Sequence, residues 1–140
     1  MNKITLLFVA LLFSVVSSQI SAQDSPPEIA GAKVITVAEA KAAIDRSIVP
    51  LDVRRKATFL EGHLPNAKSI VQFIDAKAKQ VEVEAFPASK TTPILIYGHG
   101  VDGWSAVYAV EAAVKAGYTE VLWLRTGFRA WEAAGLPISK

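Results

Sequence analysis

Three polar side chains in one glycine-rich stretch, His99, Asp102 and Ser105, are the residue types of a serine hydrolase. They lie in Tyr97-Gly98-His99-Gly100-Val101-Asp102-Gly103-Trp104-Ser105. A serine hydroxyl attacks only when a base is within hydrogen-bond reach and an acid orients that base. On this reading the loop hydrolyses a small ester or phosphate. The competing reading is structural: Ser105 caps the helix that follows, Asp102 sits at its positive end, and His99 faces solvent. Asp102 would also discourage anions. A second pair, Asp52 and Arg54, leaves an apolar strand on the crevice side. The Arg54 fork suits an oxyanion, whereas a local ion pair that shapes the loop is the plainer role. His63, in Gly62-His63-Leu64-Pro65-Asn66, has one other histidine and no cysteine to join it, so no metal-ligand set is read. No cofactor is expected.

The elements that would position these residues alternate between strand and helix. Lys33–Ile35 reads as a strand. Thr36-Val37-Ala38-Glu39 has the form of a capping box, with a helix over Val37–Asp45. Ile48–Val53 is a buried strand ending in charge, Arg54–Glu61 a short helix, and residues 62–66 a turn. Ala67–Val71 is a further strand, and Gln72–Ala85 reads as mostly helical. Ile94–Tyr97 is a fully apolar strand. Trp104–Ala116 shows the clearest helical spacing, through Trp104, Val107, Tyr108, Val110 and Val114, with Gly117 as its stop. Glu120–Leu124 is the last strand and Gly127–Ala134 a short helix. Five strands alternating with helices, one of them apolar throughout and another buried up to its charged end, predict an α/β domain with a mostly parallel sheet covered on both faces. Ligands of such sheets lie beyond the carboxyl ends of the strands. The candidate pocket is therefore Gly98, His99, Gly100, Val101, Asp102, Gly103, Trp104 and Ser105, with Asp52 and Arg54.

Upstream of these elements, Met1-Asn2-Lys3 followed by the apolar run Ile4–Val16 and small residues to Ala22 reads as a cleavable signal peptide over 1–22. The run is too short for a spanning helix, so no membrane anchor is expected after cleavage. Residues 23–32, with Pro26-Pro27, read as a flexible lead-in, and 33–140 as one domain. The chain would be periplasmic or secreted. It has no cysteine, so it must fold on its apolar core alone. The net charge of +2 falls to +1 without Lys3, and the charges interleave. With no basic stripe, a nucleic-acid partner is not expected.

Three blocks in order resemble the rhodanese-like domain family. They are Leu51-Asp52-Val53-Arg54 with Phe59 and Gly62–Ala67; Tyr97 through Tyr118; and Gly127-Phe128-Arg129-Ala130-Trp131 with Ala134–Pro137. The resemblance implies a single domain of that fold from about Lys33, and a structural turn at His63. In active members the residue after the tyrosine is a cysteine that carries a sulfane sulfur as a persulfide, held by loop amides. Gly98 stands at that place, so no catalytic residue is carried over. Trp104 stands where the family often has arginine, and the loop is one residue longer than its common form. Thr58, Asn66 and Thr126 are smaller departures, at positions where glutamate, glycine and glycine are common; Asn66 tolerates a left-handed backbone. Trp104 is similar to the tryptophan of a periplasmic branch marked by Cys-x-x-Cys-Trp and associated with PQQ-dependent alcohol oxidation. Gly100 and Gly103 occupy both cysteine places. What the resemblance implies is an exported domain that is inactive as a sulfurtransferase and serves as a binding or accessory module. Its partner would be a periplasmic protein or a small anion.

Overall fold

The computed structural model describes residues 23–140; the signal peptide expected at 1–22 lies outside the described residues. In chain order the elements are β1 (Ala32–Val34), α1 (Val37–Asp45), β2 (Pro50–Asp52), α2 (Lys56–Glu61), β3 (Lys68–Ser69), β4 (Ile74–Asp75), β5 (Gln80–Val81), β6 (Ile94–Tyr97), α3 (Trp104–Lys115), β7 (Val121–Leu124) and α4 (Gly127–Ala133). Five strands form one sheet in the order β1-β7-β6-β2-β3, and every pairing in it is parallel.

Alternation along the central strands divides the core in two. Ile94, Ile96, Val121 and Trp123 join the buried face of α3, formed by Ala106, Val107, Ala109, Val110 and Ala113. Leu95, Tyr97, Leu122 and Leu124 face the other way, toward Ala40, Ala43 and Ile44 of α1 and Trp131 of α4. Both faces of the sheet are thus covered, as the apolar strands require. The capping box at Thr36 and Glu39 forms as expected, with Glu39 N–H on Thr36 Oγ1 at 3.2 Å and Thr36 N–H on Glu39 Oε2 at 2.8 Å. The helix α3 stops at Gly117, whose φ of +91° is a backbone state few other residues adopt.

The helix expected over Gln72–Ala85 does not form. The stretch is a 3-10 turn at Val71–Phe73, the antiparallel hairpin β4–β5, and a second 3-10 turn at Val83–Ala85. Asp75 decides this locally. Its Oδ1 accepts the N–H groups of Lys77 at 3.0 Å and Ala78 at 2.9 Å, which closes a turn before any helical bond can form. Among the described residues no helix is long and apolar enough to cross a membrane.

Candidate functional site at the loop after β6

Strands β2 and β6 are neighbours, yet the chain leaves them in opposite directions, from β2 to β3 and from β6 to β7. Such a divergence opens a crevice beyond the carboxyl ends of the two strands. Arg54 enters it from β2, and the loop 98–103 enters it from β6.

Asp52 and Tyr97 are register partners on the same face. Asp52 is fully buried and accepts from Arg54 N–H at 2.8 Å, Nε at 3.1 Å and Nη2 at 2.7 Å, and from the Tyr97 hydroxyl. Arg54 Nη2 also donates to Gly62 O at 2.7 Å, and the guanidinium lies 4.1 Å from the centre of the Phe128 ring. Burial works against the guanidinium's charge, but the bonded Asp52 carboxylate holds Arg54 above its ordinary value. Burial, with the same carboxylate beside it, pushes the Tyr97 hydroxyl far up. These residues form a buried strut that fixes the start of the crevice; Asp52 has no place on its surface. Arg54 keeps one guanidinium nitrogen, Nη1, without a hydrogen-bond partner among the described residues.

The loop itself is tied by its carbonyl groups. Gly98 O accepts from Phe128 N–H at 2.9 Å, and His99 O accepts from Arg129 N–H at 3.0 Å. These donors belong to the first turn of α4, where N–H groups have no partner within the helix. A trans peptide points its N–H opposite its C=O, so the amides of His99 and Gly100 are turned away from α4. Gly103 N–H closes on Gly100 O at 3.0 Å, and α3 starts at the next residue. The loop therefore remains attached to the helix start. The backbone closeness needs Gly127. At its φ of +66°, a Cβ would stand 2.6 Å from Gly100 N, Gly98 O and the His99 carbonyl carbon. In the sequence Gly127 stands in a family-like block, and nothing there shows that it shapes the loop from across the fold.

Three expectations change here. The N-cap of α3 is Gly103, without a side-chain cap, and Ser105 is the second helical residue, so Ser105 does not cap. Asp102 pairs with Arg129 Nη1 at 2.9 Å, and this bond holds its carboxyl below the usual range. Among the described residues no hydrogen bond joins Ser105, His99 and Asp102, so the serine-hydrolase arrangement is not assembled. Trp104 belongs to neither core cluster. It is 36% exposed and donates its indole N–H to Gln23 O at 2.9 Å. The segment read as a lead-in thus lies along the loop. Ser25 N–H bonds Val101 O at 2.6 Å, and Arg125 donates to Pro26 O at 2.8 Å and to Ser25 O at 2.5 Å.

A cleft of about 260 Å³ opens beside the loop, lined among others by Arg54, Glu61, His99, Phe128, Arg129 and Glu132. Of the ten candidate pocket residues, only Arg54 and His99 line it; Gly98, Gly100, Val101, Asp102, Gly103, Trp104, Ser105 and Asp52 do not. Two cations and two carboxylates leave it with little net attraction for an anion. His63 takes a structural place: its ring stacks on Phe59 at 3.9 Å, and Nδ1 lies 3.0 Å from Phe59 O. Among the described residues no group of three His, Cys, Asp or Glu could hold a metal ion.

The exposed His99 senses these surroundings. Burial of part of its ring, then the charges of Arg54 and Arg129, lower its pKa from 6.5. Just below pH 6.5 the unfolded chain consequently binds more protons than the folded one. Stability falls as pH is lowered through that window, and the loss levels off below the folded midpoint. An NMR titration of the imidazole should give a midpoint below 6.5, and Arg129→Gln should move it upward. A midpoint unmoved by that substitution would place Arg129 too far away to act.

With the geometry in view, the comparisons with known proteins agree with the fold. The model of the rhodanese-like domain family matches residues 36–134, and the chain belongs to that family. A rhodanese-like domain protein from Staphylococcus aureus is similar at 27% identity and a TM-score of 0.58, over 77% of this chain and 99% of that one. A rhodanese-like domain from an Anabaena protein is 28% identical with a TM-score of 0.51, over 66% of this chain and 99% of that one. A Bacillus halodurans protein is 20% identical with a TM-score of 0.61, over 77% of each chain, a likeness of fold alone.

Proposed function

We propose that this chain is an exported rhodanese-family domain that has kept the loop but not the sulfur chemistry, and that it works as a binding or accessory module in the periplasm. The observation that carries this reading is Gly98. It follows the buried Tyr97 at the mouth of the crevice, where the family resemblance places the sulfur-carrying cysteine, and the chain has no cysteine elsewhere. Without a thiol no covalent sulfur intermediate forms. The balanced charge of the cleft favours a protein partner over a free anion. The apolar leader and Trp104 support placement beside a PQQ-dependent oxidation system, as in the branch that Trp104 resembles.

The test has two arms. Incubated with thiosulfate and cyanide, the protein should form no thiocyanate above a heat-killed control; turnover would end this reading. Gly98→Cys should then restore a reactive thiol in a folded protein. A Cβ at Gly98 meets only Val53 Cγ2 at 3.4 Å and Ala106 Cβ at 3.5 Å, which are ordinary contacts. The thiol would stand beside the turned amides and close to the start of α3, and such settings lower a thiol's pKa. The rate of alkylation by iodoacetamide should rise with a midpoint below about 8.5, the free-thiol value. A midpoint above that, or an unreactive thiol, would mean the loop no longer stabilises an anion.

A further inference from the structure

A larger cleft, of about 510 Å³, lies at the opposite end of the sheet and shares no lining residue with the one beside the loop. The segments that lead into β2 (Arg46–Val49) and β6 (Thr92–Pro93) form one side of it. The edge strand β3 and the Glu84–Pro87 turn form the other. Its base is apolar: Leu51, Ile70 and Phe86 are 4%, 3% and 7% exposed, and Ile48 and Phe73 are half-buried. Concave sites of this volume with an apolar base and a few polar groups are the usual form of small-molecule sites.

The polar groups set the chemistry of the occupant. Arg46 and Lys68 stand in the lining against a single carboxylate, Glu84. Neither cation is paired with a carboxylate among the described residues. An apolar base with an excess of positive charge at its border fits a molecule that is hydrophobic along its length and anionic at one end. We propose that this cleft binds an amphipathic carboxylic acid of medium chain length, its chain on Leu51, Ile70 and Phe86 and its carboxylate at Arg46 and Lys68.

Decanoate, kept below its micelle concentration, is the probe. In a ¹⁵N-resolved NMR titration it should give saturable shifts at the amides of Ile48, Val49, Ile70 and Phe86, with His99, Gly100 and Val101 unmoved. Both cations are exposed, so Arg46→Glu with Lys68→Glu should fold. That double variant should bind decanoate about tenfold more weakly, the scale expected when two attractions between surface charges become repulsions. Its affinity for decanol should be unchanged. The absence of a saturable shift, shifts centred on the loop, or equal weakening of decanoate and decanol would overturn the proposal. None of these results bears on the sulfurtransferase assay, so the two readings fail separately.

Discussion

Gly127→Ala should destabilise the domain by about 3–5 kcal/mol, far more than an alanine usually costs at the start of a helix. Two effects add. A left-handed backbone costs an L-residue roughly 1–2 kcal/mol. The new methyl group also has nowhere to go, since its position is 2.6 Å from three backbone atoms of residues 98–100. Backbone cannot swing aside as a side chain can, so the loop or α4 must move. Either movement breaks the bonds from Phe128 N–H to Gly98 O and from Arg129 N–H to His99 O. Urea unfolding of wild type and variant measures the loss, and slow exchange of the two amides should disappear in parallel. A cost below about 1 kcal/mol would show that the loop gives way easily, and that its shape is not set from α4.

The second large effect is expected at Asp52. Asp52→Leu leaves Arg54 charged and buried, and leaves the Tyr97 hydroxyl without its acceptor. Breaking a buried pair from one side typically costs about 3–5 kcal/mol, because an uncompensated charge remains. Arg54→Met combined with Asp52→Leu removes both charges. It should recover much of the loss, because a hydrophobic pair of similar volume can replace a buried ion pair. Recovery will be incomplete: Gly62 O loses the Arg54 donor, and the Tyr97 hydroxyl keeps only the Leu64 N–H, at 3.1 Å. A double-mutant cycle by urea unfolding therefore predicts a coupling of about 2–3 kcal/mol. Near-additive losses would mean that the strut is two separate anchors.

The apolar strands are legible in the sequence because their signal is local. Ile94–Tyr97 and Val121–Leu124 are apolar at every position, which only a sheet covered on both faces can bury. The capping box at Thr36 is equally legible, being complete within four residues. Gln72–Ala85 misleads because a single carboxylate, Asp75, closes a turn that residue preferences alone do not reveal. The site is half legible. Glycine spacing locates the loop, and the family blocks locate Arg54. Arg129 stands in a family block and Glu61 and Glu132 in none, but for all three nothing local says that α4 and the end of α2 border the cleft beside His99. The capping role expected of Ser105 fails for a different reason: the helix begins at Trp104, as its spacing indicates, which puts Ser105 inside the first turn and leaves the cap position to Gly103.

The N-terminal strap is held by main-chain atoms: the carbonyls of Gln23, Ser25 and Pro26 and the amide of Ser25. The side chains that grip it, Trp104 and Arg125, lie 81 to 100 positions downstream. Apart from the tightly enclosed Ser25, its letters are therefore free to drift while its path stays put. Aligned against relatives it would look like unconstrained linker, and the trace of its attachment would be found only in an indole and a guanidinium near the other end of the chain.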